Sequence, residues 1–244
     1  MYINYILVVI QKYKFGDTKM KIIALSDLHG NLIQIRDTAD VVVIAGDWSP
    51  LYIQHDCLSV LEWFDKRFIP WMSLLKTNHV VFIPGNHDLA CTYSFFKKEL
   101  DKLLLRHQVV DKVHYLCYNS TIIDGKKFYG NPNTESPKGW AFSKEYNQVY
   151  NFDKDTDILI THQPPKVGDV GYVKLYHREF GSQDLLYKIL ESNISLNICG
   201  HIHTGSHDEY QIVLNNNTKV ARIYNVSILD EDYRVAYKPT IIEL

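Results

Sequence analysis

The stretch Val80-Val81-Phe82-Ile83-Pro84-Gly85-Asn86-His87-Asp88 joins a short apolar run to a turn and then to three side chains able to bind a metal or carry a proton. An apolar run bounded by Pro-Gly reads as a strand buried on both faces, as in the parallel sheets of α/β proteins. Polar groups directly after such a strand fall at its carboxyl end, where sites assemble in open α/β sheets.

The same pattern recurs on either side of this stretch. Lys21 to Leu25 runs into Ser26-Asp27-Leu28-His29, and Val41 to Ala45 into Gly46-Asp47. Ile158 to Thr161 ends at His162, and Ser195 to Cys199 at Gly200-His201-Ile202-His203. Asp27 and His29 are spaced like His201 and His203, with one residue between them, which in an extended segment sends both side chains to one side. Gly46, Gly85 and Gly200 are read as letting the backbone turn sharply beside the site.

Between these strands the apolar period changes. Cys57, Leu58, Leu61, Phe64, Phe68, Trp71, Met72 and Leu75 recur at helical spacing, and Pro70 inside that pattern predicts a kink or a split. A second helix is expected from Tyr93 to His107 and a third from Ser182 to Glu191, with Ser182 as its N-cap in preference to a phosphate-binding role. Val113 to Tyr118, Thr121 to Ile123 and Lys127 to Tyr129 are β-rich, with Asp124-Gly125 as a hairpin turn. Asn131 to Gly139 reads as a surface loop, and the chain from Tyr210 onward is again β-rich. A layered sandwich of two sheets flanked by helices accommodates this order best.

The length of 244 residues suits one domain, taken as 20–244, with residues 1–19 as an N-terminal extension or an extra edge strand. Ile3 to Ile10 is apolar but far short of the roughly 20 residues a membrane helix needs. It also lacks the flanking residues of a signal peptide. A net charge of −2 gives no global basic field to recruit nucleic acid. The four cysteines, Cys57, Cys91, Cys117 and Cys199, form no C-x-x-C pair and are read as reduced thiols, which makes the cytoplasm the expected location. Composition says nothing of oligomeric state.

Imidazole, carboxylate and amide oxygen without thiolate favour manganese, iron, zinc or similar ions over a cysteine-bound structural zinc. Two divalent ions bring four positive charges, against three negative ones from Asp27, Asp47 and a hydroxide. The slightly cationic balance suits a phosphate ester.

The set D-L-H, G-D, G-N-H-D, T-H-Q-P-P and G-H-I-H, in that order from about Met20 to Asn225, resembles the calcineurin-like metallophosphoesterase superfamily. That resemblance implies a four-layer αββα fold and a dinuclear centre in which Asp27, His29 and His203 hold one ion, Asn86, His162 and His201 the other, and Asp47 bridges both. It implies hydrolysis by a metal-bound hydroxide, with His87 assisting the leaving oxygen and Asp88 orienting the His87 ring. Manganese is the first expectation for the ions, with iron, zinc, nickel or cobalt as alternatives. Asn131 to Pro137 (G-N-P-N-T-E-S-P when read from Gly130), followed by Trp140-Ala141-Phe142, is similar to small phosphodiesterases related to brain metallophosphoesterase-domain proteins. The implied substrate is a small, nucleotide-like diester, including cyclic nucleotides.

His55, His79, His107, His114, His177 and His207 are read as ordinary surface or core histidines. Trp48, Trp140, Phe142, Tyr172 and Tyr176 read first as core, with Trp48 the leading candidate for a substrate wall because it follows Asp47. A phosphomonoesterase with the same ions and a catalytically silent scaffold remain the competing functions. A DNA exonuclease would be expected to bring a basic surface, which the sequence does not show.

Overall fold

The strands bury alternate residues on two different sides, and that alternation builds the layers. The computed structural model describes residues 19–143, 150–215 and 219–244. The N-terminal extension or edge strand expected at residues 1–19 lies, apart from Lys19, outside the described residues.

Strand β1 (Lys21–Leu25), β2 (Ala39–Ala45), helix α1 (Cys57–Trp63), helix α2 (Ile69–Leu74), β3 (Thr77–Ile83), α3 (Phe96–Arg106) and β4 (Val113–Tyr115) make the first half. They are followed by β5 (Asn119–Ile123), β6 (Lys126–Asn131), β7 (Ile158–Thr161), the short β8 (Tyr172–Val173) and β9 (Arg178–Glu179), and α4 (Gln183–Leu190). The chain closes with β10 (Leu196–Cys199), β11 (Tyr210–Val213), β12 (Val220–Asn225) and β13 (Thr240–Glu243).

One sheet has the order β13-β1-β2-β3-β4, with β1 to β4 parallel and β13 antiparallel at its edge. The other has the order β11-β12-β10-β7-β6-β5, parallel in its centre with antiparallel edges. Val42 and Ile44 of β2, with Val80 and Phe82 of β3, face the helices α1 to α3. Val41, Val43 and Ala45, with Val81 and Ile83, face Ile158, Ile160, Leu196 and Ile198 of the second sheet. Leu159 turns the other way, to Leu185 and Ile189 of α4. Helix, sheet, sheet, helix is the four-layer order expected, and it explains why the central strands read as unbroken apolar runs.

Pro70 does divide its helix. A proline cannot donate to the carbonyl four residues back. The chain meets this with a π-helical turn over Phe64–Phe68, in which the Ile69 N–H reaches the Phe64 carbonyl, before α2 resumes with Pro70 in its first turn. Asp124 and Gly125 both have positive φ, 48° and 76°, as the two-residue turn between β5 and β6 requires.

The first reading of Trp48 as core holds, and one loop expectation changes. Trp48 is fully buried on the helix side, with Phe64 and Phe68 at ring distances of 5.3 and 5.5 Å and Phe82 at 6.2 Å, so it is core and not a substrate wall. The loop after β6 is not all surface, because Asn131, Asn133 and Thr134 are buried. The two asparagine side chains find partners, while the Thr134 hydroxyl is buried without one. Asn131 Oδ1 accepts the Asn133 N–H at 3.0 Å, and Asn133 Oδ1 accepts the Tyr118 hydroxyl at 2.6 Å. No helix among the described residues is long and apolar enough to cross a membrane.

Candidate metal centre

The carboxyl ends of β1, β2, β3, β7 and β10 meet at one edge of the sandwich, and backbone hydrogen bonds tie the loops that leave them. The Asp27 N–H donates to the Gly46 carbonyl at 3.0 Å and the His29 N–H to the Asp47 carbonyl at 2.9 Å. The loops do not run extended. Asp27, His29, Asp47 and His201 have positive φ of 57°, 41°, 53° and 71°, so Asp27 and His29 converge through left-handed turns rather than through strand alternation. Gly85 serves by close approach: a Cβ there would lie 2.3 Å from Asp47 Oδ1. At Gly46 (φ 100°) a Cβ would lie 2.4 Å from His162 Nδ1.

Three groups of donor atoms result, each within 4.8 Å: Asp27 with His29 and His203, His29 with Asp47 and His87, and Asp47 with His162 and His201. Asn86 joins the last, its Oδ1 lying 3.0 Å from His162 Nε2. Asp47 stands between the groups. Its Oδ1 accepts the His87 N–H at 2.7 Å, while Oδ2 lies 3.1 Å from His162 Nε2 and 3.7 Å from His29 Nε2. Asp27 accepts the His201 N–H at 3.0 Å and lies 3.7 Å from His203 Nε2.

The fit to cations can be read from the protons. His162 Nδ1 faces the Ala45 carbonyl at 2.8 Å, and a carbonyl only accepts, so Nδ1 carries hydrogen. A neutral ring then presents the Nε2 lone pair to the oxygens of Asp47 and Asn86, an arrangement only a positive species can hold together. His203 is oriented in the same way, with Nδ1 donating to the Asp230 carbonyl at 2.9 Å. Both ring nitrogens of His29 are buried without a hydrogen-bond partner.

Without a cation, a proton takes part of that place. Burial opposes charge on His162, but the Asp47 carboxylate outweighs it and raises the imidazole to about 9. His29 falls to about 4, chiefly through burial, which Asp47 and Asp27 only partly offset. His201 falls to about 3 through burial and the neighbouring His162. Burial works against ionised Asp27 and Asp47 too, yet His203 and His162 hold them below the usual carboxylate range. The site is therefore a pair of buried carboxylates ringed by mostly neutral imidazoles, a donor set suited to divalent cations.

Asp88 occupies a different position from the one expected, whereas His87 lines the cleft. The Asp88 carboxylate is buried and accepts the Gly85 N–H at 2.8 Å and the Ser49 N–H at 2.9 Å, clamping the loops after β2 and β3 together. It does not orient the His87 ring. That partner is Gln54, whose Oε1 lies 2.8 Å from His87 Nδ1 and which no sequence motif marked. Trp140 packs beside His87 at 4.4 Å, and Tyr233 lies 5.0 Å from His29 and 5.2 Å from His203, ring to ring.

A cleft of about 340 Å³ opens over Asp47, His87 and His201, walled by Leu175, Tyr176 and Tyr233 with Glu231 at its margin. No lysine or arginine of the described residues lines it. Phe142 packs on Tyr118 and Tyr172 pairs with Glu179, and neither lines the cleft. The remaining histidines find ordinary partners: His79 meets His114 at 3.1 Å, His107 meets Asp65 at 2.7 Å, and His207 stacks on Tyr237 at 3.8 Å. Ser182 caps α4, its hydroxyl accepting the Leu185 N–H at 3.1 Å.

Comparison with known proteins agrees with this geometry. Metallophosphoesterase domain-containing protein 1 of Homo sapiens is 24% identical over 92% of this chain and 71% of that protein, and the Mus musculus protein gives the same figures. A probable rhamnogalacturonate lyase C of Emericella nidulans is 25% identical over 79% of this chain but only 18% of its own length. One solved crystal structure shares the fold, with a TM-score of 0.53 at 15% identity over 85% of this chain and 90% of that one. The family model for calcineurin-like phosphoesterases matches residues 20–205, and the chain belongs to that family.

Proposed function

We propose that the protein is a phosphodiesterase with two divalent ions, acting on small nucleotide-like diesters, cyclic nucleotides among them. Asp27, His29 and His203 would hold one ion and Asn86, His162 and His201 the other, with Asp47 shared, as its place between the donor groups suggests. Manganese suits these donors best, and iron, zinc, nickel and cobalt also fit them. Bound there, divalent ions supply positive charge to the phosphoryl group and acidify water into a nucleophile at neutral pH.

The observation that carries the preference for a diester is the cleft wall. A dianionic monoester is usually met by cationic side chains beyond the metals, and this wall has none among its described residues. Leu175, Tyr176 and Tyr233 instead offer apolar and aromatic surface to a second ester substituent. His87 stands over the same cleft. Gln54 takes its Nδ1, leaving Nε2 to hold a proton that the leaving oxygen receives as the ester bond breaks. Burial lowers the affinity of this ring for its proton, with Asp47 opposing, so the protonated form that acts as the acid is favoured toward lower pH. The thiols of Cys57, Cys91 and Cys199 carry no disulfide, which suits a reducing cytoplasm.

The test compares bis-p-nitrophenyl phosphate, p-nitrophenyl phosphate and 2′,3′- and 3′,5′-cyclic nucleotides, each with manganese and then the other ions. The diesters should be turned over with the higher kcat/KM. A clear preference for the monoester would overturn the diesterase reading while leaving the family assignment intact.

A further inference from the structure

Tyr233 lies beyond residues 20–205, outside the part of the chain that the family model covers. It is nevertheless part of the cleft that contains Asp47, His87 and His201. Its ring stands edge-on to His29 at an interplanar angle of 73° and to His203 at 84°, closing the side of the site formed by β1 and β10.

The backbone that places it there is unusual. Tyr233 has φ 60°, a left-handed conformation that is a genuine outlier for a bulky side chain and persists only where the surroundings enforce it. A tight turn does so. Asp230 Oδ1 accepts the N–H groups of Asp232 at 3.0 Å and Arg234 at 2.9 Å, and the Asp230 carbonyl accepts the Tyr233 N–H at 3.0 Å. The same carbonyl accepts His203 Nδ1, so one turn both orients a metal-type imidazole and delivers a phenol to the cleft. The phenol makes no hydrogen bond among the described residues. A donor held at a strained position in a cleft without lysine or arginine suits an anionic oxygen of the substrate.

We propose that Tyr233 is a substrate-contacting residue whose hydroxyl donates a hydrogen bond to a non-bridging phosphoryl oxygen, while its ring forms the wall beside His29 and His203. The proposal rests on the phosphoesterase reading, and it adds a contact that nothing in the metal-ligand pattern assigns.

The experiment uses the full-length, metal-loaded protein with Tyr233→Phe and Tyr233→Leu. Metal content, affinity for inorganic phosphate by calorimetry, and kcat/KM on the diester are measured for each. Tyr233→Phe keeps the ring against both histidines and removes only the donor. It should leave metal content unchanged and weaken phosphate binding and kcat/KM by about tenfold or more, the usual worth of a hydrogen bond to a charged group. Tyr233→Leu should add a rise in KM through loss of the wall. Unchanged phosphate affinity and kcat/KM in Tyr233→Phe would overturn the proposal, and so would loss of metal in that variant, which would assign Tyr233 to the histidines instead. If the wild type hydrolysed no phosphate ester at all, the functional reading would fall, and the phosphate-binding comparison would still decide the role of Tyr233.

Discussion

Replacing Gln54 with leucine removes the acceptor that faces His87 Nδ1 at 2.8 Å and keeps nearly the same volume in a side chain that is only 9% exposed. The magnitude follows from what holds the imidazole otherwise. His29 stands perpendicular to it at 4.8 Å and Trp140 lies against it at 4.4 Å, so the ring stays in place laterally but loses the hydrogen bond that fixes its rotation and tautomer. A half-buried N–H deprived of its acceptor costs about 1–3 kcal/mol. Because the ring can turn partly toward the cleft to find water, the lower half of that range applies. A loss of about 1.4 kcal/mol in transition-state stabilisation is about tenfold in kcat. His87→Ala removes the acid altogether and should cost about 10²–10⁴-fold with little change in metal content.

The decisive assay is the double-mutant cycle. If Gln54 acts only through His87, then Gln54→Leu/His87→Ala should be no slower than His87→Ala alone, and the coupling should equal the whole effect of Gln54→Leu. A leaving-group series provides the second arm. A p-nitrophenolate departs without help, so both single variants should lose less activity on the bis-p-nitrophenyl ester than on an alkyl diester. Losses that multiply in the double variant, or that are equal for good and poor leaving groups, would refute the assignment of Gln54 as the residue that positions His87.

Asp47→Asn should lower metal stoichiometry at both positions and nearly abolish turnover, because Oδ2 lies toward both His29 and His162; metal analysis after dialysis checks this. Trp48→Ala should destabilise the fold by about 3–5 kcal/mol in denaturant unfolding, since the indole is fully buried among Phe64, Phe68 and Phe82, whereas a substrate-wall tryptophan would cost far less. The metal-free protein should lose stability between pH 6.5 and about 9. His162 is raised to about 9 by Asp47, against its burial, so its protonated form stabilises the fold fully below 6.5 and ceases to do so as pH rises through the folded value. His29 and His201, lowered by burial, are neutral in the folded protein throughout that window, and their unfolded forms lose their last protons just above 6.5, so the decline is read in the upper part of the window. Metal loading should flatten the profile, because the ion displaces the His162 proton, and thermal unfolding with and without chelator reads the difference.

The layers and the metal-type residues were legible because both depend on local pattern. A strand buried on two faces must be apolar throughout, so Val41–Ala45 and Val80–Ile83 announce themselves, and whatever follows their last residue sits at the edge of the sheet. That logic fails one residue further on. Asp47 turns the chain through φ 53°, and Trp48 is carried back under the helices, so adjacency to a ligand in sequence did not mean adjacency to the cleft. Asp88 misleads for a related reason: next to His87 in sequence, it points at the backbone of Gly85 and Ser49, while the partner of the ring arrives from 33 positions away. Asp27 and His29 share a site through left-handed turns, which strand spacing cannot encode. Gln54 and Tyr233 are the residues no motif marked, and each stands on a turn whose position is set by tertiary hydrogen bonds. Asp88 draws the loop bearing Gln54 against His87, and the Asp230 turn sets Tyr233 against His203. Ligands that ring an ion are constrained by the metal and recur as short motifs, whereas residues that aim a ring or touch a substrate need only arrive at the right place. In this fold the loops that deliver them have been built around two aspartates, the buried Asp88 and the partly exposed Asp230, one by side chain alone and the other by side chain and carbonyl together.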